Sequence, residues 1–231
     1  MSKGLFAELD IYRDSAWRSA ALNMAIDEAL LERTKIPSIR FYRWKSPALS
    51  FGYFGNFADV AEHRTKRDLV RRWTGGGIVL HGDDLTYSIV IPATDPAFSE
   101  SAMSIYENVH RALCNALVAT GQRAFVAGGV DPGAGVSDAG YSRHLCFTNP
   151  VRADVMVNGQ KVAGAAQRRT RGGLLQQGSV QYVDLGNGFA ERFARELSQA
   201  CVEGKISSEL LDRAEKIAGK KYATEAWLRR R

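Results

Sequence analysis

The sequence is poor in the residues that staple small secreted or metal-built proteins. It has three cysteines, Cys114, Cys146 and Cys201, an odd number, widely spaced and without a Cys-x-x-Cys pair. That argues against a disulfide framework or a zinc knuckle and suits reduced thiols and a cytoplasmic location. Its histidines, His63, His81, His110 and His144, show no metal-ligand spacing, so no metal site is expected. No run of about 18 apolar residues occurs, which argues against a membrane-spanning helix. The opening MSKGLFAELDIYRDSAW has acidic residues and no apolar h-region, so no signal peptide is expected. No repeat is visible. The one glycine triplet is not followed by Gly-Lys-Ser/Thr, which excludes a P-loop, nor does it fit a dinucleotide fingerprint.

What is present is ordinary for a folded chain. Of 231 residues, 45% are hydrophobic and 24% charged, which excludes disorder and collagen-like repeats and leaves room for one large domain. Lys and Arg number 31 against 25 Asp and Glu, a net +6. So modest an excess fits a face that meets an acidic partner. An interleaved basic-aromatic surface is not expected, so nucleic-acid binding is discounted.

Apolar spacing predicts a helix over 15–33, capped by Asp14 or Ser15, and a second over 104–119. Strands are expected over 38–44, 48–54, 69–73, 78–81 and 85–92, with a polar helix over 59–66. Residues 128–140 hold five glycines and Pro132 and read as a loop that could act as a cover. Further β segments fall at 153–157, 160–167 and 174–183, and helices at 189–201 and 207–217. The pattern is one α/β domain over residues 1–231 with a mixed or antiparallel sheet.

Asn158-Gly159 is a strong two-residue turn signal. It pairs Val157 with Gln160 and Met156 with Lys161. Simple alternation then puts Asp154, Met156, Lys161 and Ala163 on one face, and Val155, Val157 and Val162 on the other. The run Ala163-Gly164-Ala165-Ala166 leaves space for a ligand to approach the backbone, although spacing alone equally allows a solvated lysine and a closely packed strand. Cys146 follows Arg143 and His144, cationic neighbours that can favour a thiolate. Its flanks Leu145 and Phe147 equally suit a buried, inert thiol. Cys114 and Cys201 fall in predicted amphipathic helices and read as packing. Arg71-Arg72-Trp73-Thr74 leads into Gly75-Gly76-Gly77, a loop that could hold an anion or a developing oxyanion, or simply make a tight turn. His81 could act as an acid, a base or a structural donor.

Taken in order, these segments resemble the lipoate/octanoate-protein ligase and octanoyltransferase family, related to biotin protein ligases. The resemblance runs through Asn23-Met24-Ala25-Ile26-Asp27-Glu28-Ala29-Leu30, Arg40-Phe41-Tyr42-Arg43-Trp44 and Ser50-Phe51-Gly52-Tyr53-Phe54. It continues through residues 71–81 and 154–167 to Lys221-Tyr222 and Trp227. It implies a mixed, largely antiparallel sheet flanked by helices, with an acyl tunnel. It carries the family's lysine onto Lys161 and the glycine loop onto Arg71, Arg72, Thr74, Gly75, Gly76, Gly77 and His81. Asp154, Ala163, Gly164, Ala165 and Gln167 would complete the substrate site. Cys146-Phe147-Thr148-Asn149-Pro150 resembles the octanoyltransferases whose cysteine carries the acyl group. Nothing follows Trp227 but Leu-Arg-Arg-Arg, so no C-terminal accessory domain is expected. Gln177, Gly55 and Val151-Arg152 depart from the family's usual residues.

The resemblance implies transfer from octanoyl acyl carrier protein, through Cys146, to the lysine of a lipoyl domain such as the glycine-cleavage H protein or a dehydrogenase E2 subunit. No cofactor is required for that reaction. The alternative is a lipoate-protein ligase using ATP and Mg2+ through lipoyl-AMP, and a rarer one is a non-catalytic binder of acylated carriers. Neither a membrane nor a nucleic acid is an expected partner.

Overall fold

A computed structural model of the chain describes residues 4–128 and 151–230. The strands are β1 (Leu9–Arg18), β2 (Ser38–Trp44), β3 (Ala48–Phe51), β4 (Asp68–Arg71), β5 (Ile78–His81), β6 (Leu85–Pro92), β7 (Ala124–Val126), β8 (Val155–Val157), β9 (Gln160–Arg169), β10 (Gly173–Val180) and β11 (Cys201–Gly204). The α-helices are α1 (Ala20–Arg33), α2 (Ala102–Val118), α3 (Phe189–Leu197), α4 (Ser208–Ile217) and α5 (Glu225–Leu228). An eight-stranded sheet runs β11-β1-β2-β6-β10-β9-β8-β7, and a three-stranded sheet runs β4-β3-β5. Among the described residues only β11-β1, β1-β2 and β3-β4 are parallel. The expected mixed, largely antiparallel α+β fold is what forms.

The large sheet is covered on both sides, which is why its central strands are buried along both faces. In β2, Ile39 and Phe41 join a core with Val109 and Leu113 of α2 and Phe193 of α3. Tyr42 and Trp44 turn the other way, into a core with Met24, Ile26 and Leu30 of α1 and Leu210 and Ala214 of α4. The small sheet closes over a third cluster of Leu49, Phe51, Val60 and Leu228.

The first helix begins later than its spacing suggests. Residues 9–18 form β1, because they pair with both β2 and β11. Ser19, not Asp14 or Ser15, caps α1 by accepting from the Leu22 amide at 3.3 Å. Asp14 is instead a buried acceptor for Arg40 and Arg18, each at 2.7 Å. The polar segment over 59–66 forms short 3-10 turns, Phe57–Asp59 and Ala61–Thr65, and not an α-helix. Cys201 lies in the edge strand β11 and not in a helix, while Cys114 is buried in α2.

The hairpin forms with the expected pairs, Met156 with Lys161 and Val157 with Gln160. The next pair is Val155 with Ala163, so Val162 is an extra residue, a β-bulge. The bulge overturns the simple alternation. Ala163 packs with Val155, Val157 and Val162 in the α2 core, and Gly164 takes the face that Lys161 occupies.

Candidate active site

A cavity of about 440 Å³, part of it open to solvent, lies between α1, the large sheet and the small sheet. Met24, Tyr42, Trp44, Val79, Gly164, Ala165, Ala166 and Gly178 give it an apolar or featureless lining, and Ser50, Arg72, His81, Thr86, Lys161, Gln177 and Ser179 a polar one. The polar groups largely satisfy one another, so most of the wall offers a ligand little unmet hydrogen bonding.

One array runs from Arg72 to Asp84. Arg72 Nη1 donates to Ser50 Oγ at 2.7 Å, and Ser50 Oγ lies 2.6 Å from His81 Nε2. The Asp84 carboxylate can only accept, so His81 carries its proton on Nδ1 and donates it to Asp84 Oδ2 at 2.7 Å. In the neutral ring Nε2 is then an acceptor, and the Ser50 hydroxyl donates to it. Thr86 and Ser179 also donate to Asp84 Oδ2, each at 2.7 Å. Burial lowers the His81 pKa, and the bond to Asp84 only partly offsets it. Burial raises that of Asp84, but bonds from His81, Ser179 and Thr86 outweigh it and hold the carboxyl below its usual range. Trp44 stacks on His81 at 4.1 Å. The order serine, histidine, aspartate is that of a nucleophile relay, yet Ser50 is fully buried and already accepts from Arg72. It serves as a rigid wall.

A second array holds Lys161. Its Nζ lies 2.7 Å from Asp154 Oδ2, and both residues are buried. The Val151 amide donates to the same oxygen at 2.7 Å, and Tyr106 donates to Oδ1 at 2.6 Å. The Tyr106 oxygen in turn accepts from the Ala165 amide at 3.1 Å. Burial and the adjacent Asp154 charge raise the Tyr106 pKa, so its phenol remains a donor. Lys161 Nζ would sit only 2.9 Å from a Cβ at Gly164, so the glycine is the space the ammonium fills.

Beneath the cavity floor, Arg40 is fully buried between Asp14 and Asp27, 2.7 and 2.8 Å away. Asp27 also accepts from Ser88 and from Gln177 Nε2, each at 2.7 Å, and Gln177 Oε1 accepts from Thr74 at 2.8 Å. Leaving one such charge unpaired typically costs about 3–5 kcal/mol. The motifs around Asp27 and Arg40 thus underpin the cavity.

Several expected substrate contacts lie elsewhere. Arg71 spends every N–H on backbone carbonyls, those of Tyr53, Gly55, Trp227, Leu228 and Arg230, at 2.6–3.2 Å. It tethers α5 to the small sheet and has no donor left for a substrate. Adjacent strand residues face opposite ways, and Arg72 takes the cavity side. The carbonyls of Gly75 and Gly77 accept from Arg72 at 3.0 and 2.8 Å, and Gly76 and Gly77 border a separate cleft beside Gly52 and Asn56. Gln167 points away from the cavity and bonds Gln176 at 2.7 Å. Thr74 acts through Gln177, and Ala163 belongs to the core. Cys146, with Arg143 and His144, lies outside the described residues. Among those described, no cluster of His, Cys, Asp or Glu is arranged to hold a metal, and no helix is long and apolar enough to cross a membrane.

Residues 19–199 match the family model of the lipoyl protein ligase A/B catalytic domain. The chain belongs to that family. It is 39% identical over 173 residues to octanoyltransferase LipM of Oceanobacillus iheyensis, covering 71% of this chain and 60% of that protein. It is 34% identical over 200 residues to octanoyltransferase LipM of Staphylococcus aureus, covering 80% of this chain and 72% of that one. The match thus spans about two thirds of the length of such relatives. The fold also matches a crystal structure of lipoate-protein ligase A bound with ATP, with a TM-score of 0.74 at 22% identity over 96% of this chain and 98% of that one.

Sequence reasoning gave no role to Asp84, Tyr106, Ser179 or Gln177. Asp84 stood in plain view in His81-Gly82-Asp83-Asp84, three residues from the histidine it orients. Tyr106 carried no signal, because only the fold brings α2 to the hairpin.

Proposed function

We propose that the chain moves an octanoyl group from an acyl carrier protein to the target lysine of a lipoyl domain, through a thioester on Cys146. The observation that carries this reading is the buried Lys161–Asp154 pair beside small residues at the wall of a cavity lined in part by apolar side chains. The likeness to LipM proteins supports it. The Cys146 thiolate attacks the donor thioester carbonyl, the carbonyl oxygen takes up negative charge beside the Lys161 ammonium, and the carrier leaves as its thiolate as the C–S bond breaks. The acceptor lysine, as free amine, then attacks the Cys146 thioester. An amide forms, the C–S bond breaks, and the amine proton returns to the Cys146 sulfur. Amide formation from a thioester runs downhill, so this scheme consumes no ATP. Such transfer belongs in the cytoplasm, where thiols stay reduced.

The test is intact mass after incubation with octanoyl acyl carrier protein, beside Cys146→Ala. An octanoyl adduct that is absent in the variant and discharges onto the glycine-cleavage H protein or an E2 lipoyl domain is the expected result. No adduct, with lipoylation that requires ATP and Mg2+, would refute the proposal and make the chain a ligase.

A further inference from the structure

The fold brings basic and aromatic side chains from distant segments together in one surface. The Arg168 guanidinium lies over the rings of Tyr53 and Trp73, at 4.9 and 5.2 Å. That of Arg230 lies over Tyr53 and Trp227, at 4.4 and 5.6 Å. Lys221 Nζ lies over Trp73 and Trp227, at 4.2 and 4.6 Å. Glu28 pairs with Lys221 at 2.6 Å, but among the described residues no carboxylate pairs with Arg168 or Arg230. A guanidinium held over a ring keeps its N–H groups as the planar fork that grips a phosphate. The surface is thus preorganised and short of anions.

Its position relative to the cavity is set by β9. Gly164, Ala166 and Arg168 share one face of that strand, and the first two line the cavity. Four residues of strand place Arg168 about 13 Å from Gly164, beside which Lys161 Nζ sits. An extended pantetheine arm spans on the order of 15 Å from thioester sulfur to phosphorus, at the rise per bond of an extended chain.

We propose that Arg168 and Arg230 form a phosphate clamp beside the acyl cavity, which holds the phosphate of a phosphopantetheine arm while its thioester lies at Lys161. This rests on the acyl-transfer reading and names the feature by which the donor is recognised. The same phosphate could arrive on a carrier protein or on coenzyme A.

Two thioesters differing only in that group test it, octanoyl-phosphopantetheine and octanoyl-pantetheine. The phosphorylated donor should be used with a KM about tenfold lower. In Arg168→Gln/Arg230→Gln the two donors should become equal. Titration of unacylated phosphopantetheine and pantetheine should show the same contrast in Kd, whether or not transfer occurs. Phosphate-independent binding in the wild type, or a preference that survives the double variant, would overturn the clamp. Phosphate-dependent binding without any transfer would leave the clamp standing and remove the transferase. ATP that binds more tightly than phosphopantetheine, with the same dependence on both arginines, would assign the site to a nucleotide and overturn the proposal. Octanoyl carrier protein compared with octanoyl coenzyme A then separates the two sources, the carrier being favoured only if protein contacts add to the phosphate.

Discussion

Gly164→Ala separates stability from chemistry at the candidate site. The added methyl would lie 2.7 Å from Lys161 Cε, 2.9 Å from Nζ and 3.3 Å from Asp154 Oδ1. Atoms of these types rest near ~3.5 Å, so the end of Lys161 must retreat by roughly 0.7 Å. The backbone does not resist, since Gly164 is not among the positive-φ glycines. A lysine tip swings at little cost, about 1 kcal/mol or less, and loss of a glycine from the unfolded chain returns about 0.4–1 kcal/mol. The melting temperature should therefore stay within about 3 °C. Under the proposed acyl transfer the rate should not, because displacing a catalytic group by about 1 Å can cost 10²-fold. The expected result is a fall of roughly 30- to 100-fold in the single-turnover rate of octanoyl adduct formation, read by mass, with an unchanged melting curve. Activity within twofold of wild type would refute the argument that this glycine sets the Lys161 position. A melting point lowered by about 8 °C would refute the claim that only a flexible tip has to move. Gly178→Ala is the contrast: its methyl would meet the buried Tyr87 ring at 2.2–2.5 Å, and a drop of about 3 kcal/mol is expected.

Three further outcomes follow from the same geometry. Arg71→Lys offers three donors to carbonyls now served by five N–H groups, and thermal denaturation should show about 3 kcal/mol lost. Burial pushes the fully buried His110 down to about 4, against ~6.5 when unfolded. Between those values the unfolded chain binds the extra proton, so stability is full above about pH 6.5 and falls by about 3 kcal/mol on acidification to pH 4. Denaturant unfolding across that range should show a smaller fall in His110→Asn, whose amide can still donate to the Ala153 carbonyl. Ser50→Ala strips a partner from both Arg72 Nη1 and His81 Nε2 inside the cavity wall, and should cost about 2 kcal/mol by chemical denaturation.

Much of the frame could be read from the chain because local signals agreed with the tertiary ones. Strands Ser38–Trp44, Ile78–His81 and Leu85–Pro92 fall at the expected residues, and Asn158-Gly159 set the hairpin pairs. The failures have physical causes. Residues 15–18 share helical spacing with α1, but pairing to β2 and capping by Ser19 override it. The strands β7 and β11 and helix α5 are three or four residues long and form only because a neighbour is waiting. At the site, Lys161, Gly164, Ala165, Arg72 and His81 do meet around one cavity. Arg71 did not follow, and neighbouring positions at a strand end could have warned that only one of two arginines reaches the same side. Long-range pairings such as Tyr106 with Asp154 leave no trace in spacing.

The extra residue at Val162 sets a rule of parity for this chain. Lys161 and Gly164 look into one cavity only because an odd residue intervenes between the turn and the strand that floors it. Deleting Val162 would remove the bulge and leave Lys161 two residues from the glycine, on the same face by plain alternation. Deleting both Val162 and Ala163 would make the two neighbours and put them on opposite faces, carrying either the ammonium toward the α2 core or the glycine out of the cavity wall. A regular strand can therefore stand in for the bulge at the cost of one residue, and two losses cannot be absorbed.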